Sequence, residues 1–395
     1  MVAGVALVTI LVAACASFFM AWAIGAGSSG STPFAPAVGA RAISVMRAGF
    51  LVGILGFAGA VFQGQNVGET MGRGLVEGVG LSPEAASVGL LTAAVLVAIG
   101  IFTGYPIATA FTATGAIVGV GLALGGAPAW DQYRAIAALW LLVPFVGGGI
   151  AYATARLLRS ERVSERVAVP VLGAIVGAIV ANIEFAVIGP PGEGGSIASV
   201  VSTWIATPTV LGLEVGHLAI TMLLAVGAAV AIERQVARNR TRGEQRFLLA
   251  LGALVAFSAG GSQVGLAIGP LFPLLDGHVP IFTILVGGGL GLLVGSWTGA
   301  PRMIKAISQD YSSLGPRRSI AALIPSFAIA QVAVLFGLPV SFNQIVVCAV
   351  IGSGFAAGSG GVSGRKMGYT VFAWVGSLVA SGVIAYGVFS LFFGL

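Results

Sequence analysis

Apolar runs of about 20 residues recur along nearly the whole chain, and no other feature of the sequence restricts its fold as strongly. A run of this length crosses the hydrocarbon core of a bilayer as one helix. Of the 395 residues, 57% are hydrophobic and 8% are charged, whereas soluble domains average about 25% charged residues. A transmembrane β-barrel would show short alternating segments instead. The sequence therefore predicts an all-α polytopic membrane protein, and we expect it in the plasma membrane.

The apolar runs predict about twelve transmembrane helices. Lys and Arg accumulate at the cytoplasmic ends of such helices, so the arginine-rich clusters at 155–166 and 234–246 are expected in the cytoplasm. Counting spans from them places the N-terminus outside and the other basic clusters inside. The net charge of +6 then reflects topology, and no nucleic-acid partner is expected. The candidate spans are 3–24, 43–63, 86–102, 104–124, 135–156, 168–188, 210–232, 247–275, 280–300, 319–336, 339–357 and 369–394.

The first apolar run ends in "AGSSGSTPFAP" (26–36), a cluster of small and polar residues at membrane depth. Such residues weaken a helix, because proline lacks the amide donor and hydroxyls compete for backbone groups. Backbone at membrane depth must be satisfied internally or line a cavity. We therefore expect a re-entrant segment whose free amides favour an anion, with Ser28, Ser29, Ser31 and Thr32 as hydroxyl donors. The alternative for each hydroxyl is ordinary helix packing.

Two pairs of segments indicate an internal repeat. The segment "AGSSGSTPFAP" aligns with "GGSQVGLAIGP" (260–270), and "TGYPIATAFTATGAIVGVGLALG" (103–125) aligns with "FGLPVSFNQIVVCAVIGSGFAAG" (336–358). A tryptophan follows in each half, Trp140 or Trp374. The first copy enters from outside and the second from inside, which predicts two inverted-topology repeats with broken helices and helical hairpins, as in secondary transporters. The predicted units are 1–158, the middle two spans with their basic loops at 159–246, and 247–395.

These four segments, in this order, resemble the inorganic phosphate transporter (PiT) family over nearly all of the chain outside the middle spans. Members carry a G-A-N-D-x-A-N signature and a P-V-S-T-T-H-like start of a helical hairpin, each once per half. The resemblance implies twelve transmembrane helices, a homodimer and cation-coupled uptake of phosphate, and one branch of the family takes sulfate. By matching positions, the implied substrate-binding residues are Ser28, Ser29, Thr32, Thr109, Ser262, Gln263, Ser341, Asn343 and Gln344.

The sequence departs from the family pattern at both signatures. Ser28-Ser29 and Ser262-Gln263 stand in place of the two Asn-Asp pairs. A site without carboxylates repels a divalent anion less, which makes sulfate or dianionic phosphate more favourable than in the family pattern. The departure also leaves the coupling cation open between Na⁺ and H⁺.

Few ionisable residues fall within the candidate spans. Glu184, Glu214 and His217 do so, and the last two share a helical face at spacing i, i+3. Intramembrane acids are functional candidates by default, here for proton coupling, and the alternative is an interfacial residue that reaches water. The sequence contains no recognisable nucleophile–His–acid set, metal-ligand cluster or nucleotide loop, so neither an enzyme nor a metal or other cofactor is expected.

The function expected from the sequence is secondary active transport of inorganic phosphate by alternating access, coupled to a cation. Within transport, the alternatives are a permease for sulfate or another anion, and an uncoupled channel. An alternative of another class is a non-transporting membrane scaffold with a transporter fold. The expected partners are phosphate or sulfate, membrane lipid and a second copy of the chain.

Overall fold

The computed structural model describes residues 2–104, 106–160, 164–185, 188, 194–205, 209–210, 213–310, 314–356 and 364–394, and these are mostly helical. The α-helices are α1 (Val2–Ile24), α2 (Ala35–Gly39), α3 (Val45–Gln63), α4 (Gln65–Arg73), α5 (Pro83–Thr103), α6 (Thr109–Ala123), α7 (Trp130–Arg159), α8 (Glu165–Ala181), α9 (Ile197–Trp204), α10 (Val215–Arg238), α11 (Arg240–Ile268), α12 (Phe272–Leu275), α13 (Ile281–Thr298), α14 (Ala300–Asp310), α15 (Pro316–Leu335), α16 (Phe342–Phe355) and α17 (Gly364–Phe393). A π-helical turn (Gly25–Ser29) follows α1, and a 3₁₀ turn (Gly269–Leu271) follows α11. Short antiparallel ladders pair β1 (Val76–Glu77) with β2 (Ala127–Pro128), β3 (Glu184–Phe185) with β4 (Gly195–Ser196), and β5 (Thr209–Val210) with β6 (Leu213–Glu214).

The helix lengths confirm an α-helical multi-pass membrane protein. In the described part of the chain, nine helices are long and apolar enough to cross a bilayer. Shorter apolar helices accompany them at Thr109–Ala123, Arg166–Ala181 and Phe342–Phe355. Each candidate span of the sequence overlaps one of these helices. The number of twelve crossings stays a prediction.

Helices of the two predicted halves pack on one another reciprocally. Helix α6 packs on α17, and α7 packs on α16. Trp140 on α7 donates through Nε1 to the Pro339 carbonyl at 2.8 Å, and Trp374 on α17 donates to the Pro106 carbonyl at 2.8 Å. The start of each hairpin's second helix is therefore held by a long helix of the other half. Two repeats of like construction would produce such a reciprocal pair of bonds. The inverted orientation of the repeats stays a prediction.

Glycine permits close approach where these helices cross. A Cβ atom on Gly352 of α16 would lie 2.1 Å from the Gly148 carbonyl of α7. A Cβ atom on Gly115 of α6 would lie 2.3 Å from the Leu378 carbonyl of α17. Small residues at helix contacts are common in membranes because they let backbones meet. Glycine therefore permits close packing at both reciprocal contacts.

The two polar segments of the repeat fold differently. As expected, the first breaks its helix, because α1 passes into the π turn at Gly25 and a new helix begins only at Ala35. The second was expected to unwind near Ser262, but α11 stays helical as far as Ile268. No proline occurs in α11, and its Gly260 packs directly on the α3 backbone, where a Cβ atom would lie 1.9 Å from the carbonyl of residue 56. This close packing supports the helix despite the low helix propensity of glycine.

The middle spans are shorter or shifted relative to expectation. Helix α8 ends at Ala181 and α10 begins at Val215, so Glu184 and Glu214 lie outside the helices although spans 168–188 and 210–232 were expected to contain them. Both are exposed and form part of the β3 and β6 ladders. The apolar composition on either side of each glutamate does not distinguish a helix from the short strands that replace it. Helices α8 and α10 pack on each other.

Candidate functional site

A buried cluster of neutral polar side chains lies where the π turn, α6, α11 and α16 meet. Gln263 on α11 is its centre. The hydroxyls of Ser28 and Thr109 lie 3.2 Å and 2.7 Å from Gln263 Oε1, and Gln263 Nε2 donates to the Val340 carbonyl. All three polar side chains are fully buried. The Gln263 side-chain amide therefore links three elements, which are the break after α1, the α5–α6 hairpin and the tip of the α15–α16 hairpin.

Asn343, near the start of α16, bonds to main-chain carbonyls of the break after α1 and of the α5–α6 hairpin. Its Nδ2 donates to the Gly27 carbonyl at 3.1 Å and to the Ile107 carbonyl at 2.6 Å. The next residue, Gln344, donates through Nε2 to the Trp140 carbonyl at 2.8 Å. Both amides are oriented by these bonds, because only the NH₂ group can donate to a carbonyl. Their side-chain oxygens are therefore identified as the remaining acceptors.

The N-terminal ends of α6 and α16 lie at this cluster. Neither helix has a side-chain hydrogen bond capping its N-terminus. The first amides of an α-helix have no acceptor within the helix, and the helix dipole adds partial positive charge at that end. Two such ends, beginning at Thr109 and Phe342, make the cluster favourable for negative charge.

Four buried polar atoms without partners belong to residues of the cluster or to their near neighbours in sequence. Ser262 Oγ, Ser341 Oγ, Asn343 Oδ1 and Gln344 Oε1 are buried and lack hydrogen-bond partners; of the other residues described, this holds only for the Tyr133 hydroxyl. Ser262 adjoins Gln263 in sequence, and Ser341 adjoins Asn343 within two residues. A buried polar group without a partner costs about 1–3 kcal/mol. Native proteins retain few such groups, so these four atoms call for a partner such as water or a polar ligand.

The remaining hydroxyls of the first signature bond to the backbone. Thr32 Oγ1 donates to the Ser28 carbonyl at 3.0 Å, and Ser29 Oγ lies 3.5 Å from the Ile24 carbonyl. These bonds satisfy carbonyls at the break that follows α1. The structure thus brings the side chain of Ser28 into the cluster with Gln263 and turns those of Ser29 and Thr32 toward the main chain.

The three ionisable candidates lie on other elements. His217 Nε2 lies 2.5 Å from Asn182 Oδ1, so the start of α10 is tied to the end of α8. The main-chain carbonyl of Glu184 accepts from Gln63 at 2.8 Å, and Glu214 precedes the first turn of α10. None of the cluster's hydrogen bonds involves these residues. Within the described ranges, no group of three or more His, Cys, Asp and Glu residues could hold a metal ion.

The cluster is closed to solvent. Ser28, Thr109, Ser262, Gln263 and Ser341 each have 0% exposure, so no space the size of a water molecule touches them. A ligand can reach these side chains only if the surrounding helices separate. Because Gln263 bonds to both hairpins, such a separation would break bonds between α11 and the hairpins.

The sequence does not reveal the main-chain acceptors of the site. The carbonyls of Gly27, Ile107 and Val340 take part, and backbone direction cannot be deduced from residue type. The tryptophans gave a partial signal, since Trp140 and Trp374 occupy similar offsets in the two halves. Their bonds to the opposite hairpins could not be foreseen without the packing of α7 and α17.

Comparison with known proteins agrees with this architecture. The sequence profile of the phosphate transporter family matches residues 24–385. The chain is 25% identical to inorganic phosphate transporter 2-1, chloroplastic, of Arabidopsis thaliana, over 93% of this chain and 69% of the relative. It is 28% identical to a Pyrococcus furiosus protein with the provisional name phosphate permease, over 97% of this chain and 95% of that protein. A solved structure described as the sodium-dependent phosphate transporter superposes with a TM-score of 0.79 and 25% identity, covering 98% of this chain and 100% of that one. The chain therefore belongs to the phosphate transporter family, whose members are membrane transporters and not enzymes.

Proposed function

We propose that this protein carries inorganic phosphate across the membrane and binds it between the first turns of α6 and α16. The observation that carries the proposal is the set of buried, unpartnered polar atoms at Ser262, Ser341 and Asn343. Serine hydroxyls and first-turn amides donate to the oxygens of an oxyanion. The sequence similarity to proteins named as phosphate transporters supports the same substrate.

The acceptors in the cluster favour phosphate over sulfate. Asn343 Oδ1 and Gln344 Oε1 are buried, unpartnered and fixed as acceptors by the bonds that their NH₂ groups make. Phosphate near neutral pH retains at least one P–OH group, which can donate to such an oxygen, whereas sulfate has no hydrogen to donate. A sulfate ion would leave these acceptors unsatisfied, at a cost of about 1–3 kcal/mol each. The neutral donors of the cluster suit sulfate as well as they suit phosphate.

The proposed mechanism is alternating access. The closed cluster would open toward one side when one hairpin moves away from Gln263 and toward the other side when the second hairpin moves. Movement of either hairpin would involve the opposite half, because Trp140 and Trp374 bond across the halves. Phosphate in the site would replace part of the hydrogen bonding that opening disrupts.

We propose cation coupling with Na⁺ or H⁺ as the driving force. Main-chain carbonyls at broken helices are established Na⁺ ligands in transporters, and the break after α1 offers such oxygens without a carboxylate. If protons couple, the candidates are Glu184, Glu214 and His217. Replacing these by Gln, Gln and Asn should then abolish the dependence of uptake on a pH gradient and leave phosphate binding intact.

The test is uptake into proteoliposomes. Purified protein would be reconstituted, and entry of radiolabelled phosphate and sulfate would be followed with an inward Na⁺ gradient, an inward proton gradient or neither. We expect phosphate uptake that a gradient accelerates and that unlabelled sulfate inhibits weakly. Equal, negligible flux of both anions would refute transport and favour the scaffold. Flux that ignores both gradients would indicate a channel.

A further inference from the structure

A basic cavity lies at one end of the helix bundle, away from the buried polar cluster. It has a volume of about 490 Å³ and is bounded by the end of α7, the starts of α8 and α11, the end of α10 and the start of α15. No carboxylate is among the described residues that line it. Five arginines are among the residues that line it: Arg159, Arg166, Arg238, Arg240 and Arg317.

Two of the arginines are fixed in place by bonds within the protein. Arg159 donates to the Ala356 carbonyl at 2.7 Å, and Arg240 pairs with Glu244 at 3.1 Å. Arg166 and Arg238 are exposed at the cavity's edge, on α8 and α10. Five guanidinium groups, with the Glu244 carboxylate beside only one of them, make the cavity favourable for an anion. Guanidinium pairs well with phosphate, because its planar fork makes two parallel hydrogen bonds.

An apolar groove starts within one helical turn of this cavity. It has a volume of about 440 Å³ and lies between α8, α10 and α11. Gln235, Gly243 and Arg246 line its polar end, while Val180 and Leu224 line it deeper in the bundle. The eleven residue steps from Gln235 to Leu224 extend about 16 Å along α10. That length is close to half the hydrocarbon thickness of a bilayer, roughly 30 Å.

We propose that the cavity and the groove together bind an anionic glycerophospholipid. Its phosphate lies among Arg159, Arg166 and Arg238, and one acyl chain follows the groove through one leaflet. The juxtaposition of arginines at a membrane surface with an adjoining apolar groove of leaflet depth carries this assignment. Basic pockets between membrane helices on the side of positive loops are suited to anionic headgroups. This lipid site is independent of the phosphate proposed as substrate.

The headgroup arm of the test uses Arg166→Gln with Arg238→Gln. Detergent-purified protein is titrated with phosphatidylglycerol or with phosphatidylcholine of the same acyl chains, and bound lipid is counted by native mass spectrometry. A surface arginine contributes about 1 kcal/mol to anionic lipid binding, so the double variant should weaken phosphatidylglycerol affinity about 30-fold. Phosphatidylcholine affinity should change little. The matched control, Arg234→Gln with Arg302→Gln, removes two arginines that do not line the cavity.

The groove arm uses Gly227→Leu. Gly227 lines the groove, and a Cβ atom there meets nothing within 4 Å, so leucine fills the groove without a clash. We expect it to weaken both lipids several-fold, while Gly387→Leu, at an equally open position on α17, leaves them unchanged. Unchanged phosphatidylglycerol binding in both the arginine and the groove variants would overturn the proposal. Displacement of the lipid signal by inorganic pyrophosphate, with no effect of Gly227→Leu, would also overturn it and assign the cavity to a soluble anion.

Discussion

Replacing Ser262 by alanine separates substrate binding from structural support. Its hydroxyl is fully buried and has no hydrogen-bond partner, so it contributes desolvation cost and no bond to the closed protein. Removing such a group recovers part of a penalty of about 1–3 kcal/mol, offset by the small space that the oxygen leaves. The ligand-free Ser262→Ala variant should therefore be at least as stable as the wild type. Ser341→Ala should behave in the same way, because the Ser341 hydroxyl is also buried without a partner.

Phosphate binding should respond in the opposite direction. A hydrogen bond to a charged group contributes about 1.5–3 kcal/mol, which corresponds to a loss of roughly 10- to 150-fold in affinity. The measurements are thermal unfolding in detergent, with and without phosphate, and the KM of phosphate uptake in proteoliposomes. We expect an unchanged or higher melting temperature without phosphate, a smaller shift on adding phosphate and a raised KM.

Ser353→Ala is the matched control. Ser353 lies on α16 and is fully buried, but its hydroxyl donates to the Val350 carbonyl at 2.9 Å. Its removal should cost about 1 kcal/mol of stability and leave the KM for phosphate unchanged. If Ser262→Ala and Ser341→Ala lower the stability as Ser353→Ala does and leave the KM unchanged, the unpartnered hydroxyls do not mark the substrate site.

Other contacts lead to further predictions. Trp140→Phe and Trp374→Phe should each lower the melting temperature by a similar amount, corresponding to about 1–3 kcal/mol, because each leaves a proline carbonyl without its donor; an effect from only one of them would contradict their reciprocal roles. Gly352→Ala should reduce the yield of folded protein in size-exclusion chromatography, because its Cβ atom would lie 2.1 Å from the Gly148 carbonyl, whereas Gly376→Ala, in open space, should not. Thr109→Val should reduce phosphate uptake, since it removes a donor to Gln263, whereas Thr112→Val, one turn along α6 and bonded only to the Ala108 carbonyl, should leave the KM near that of the wild type.

The hydropathy pattern identified the fold class and the positions of the long helices with few errors. Apolar runs locate membrane-spanning helices, because nearly every residue of such a helix must be compatible with lipid or with another helix. The break after Ile24 was also predictable, since Gly, Ser, Thr and Pro together oppose a helix. The unbroken course of α11 through Ser262 was not, because it depends on glycine packing against α3 rather than on local propensity.

The candidate site shows the same division. Matching positions to the family pattern implied Ser28, Thr109, Gln263 and Asn343. In the structure the first three bond to one another, and Asn343 bonds to the Gly27 and Ile107 carbonyls beside them. Matching positions implied Thr32 equally, and they could not show that its hydroxyl turns to the Ser28 carbonyl instead. Local geometry decides whether a hydroxyl bonds to its own backbone or faces another helix, and residue type leaves both outcomes open.

The sequence by itself determined that this chain is a helical membrane protein with a repeated pair of polar segments, because composition and periodicity are properties of the chain alone. Only the tertiary structure decided which polar atoms are satisfied. Hydrogen-bond partners such as Gln263 and Val340 lie far apart in sequence and meet through helix packing. The unpartnered oxygens that mark the candidate phosphate site exist only once that packing has excluded water from them.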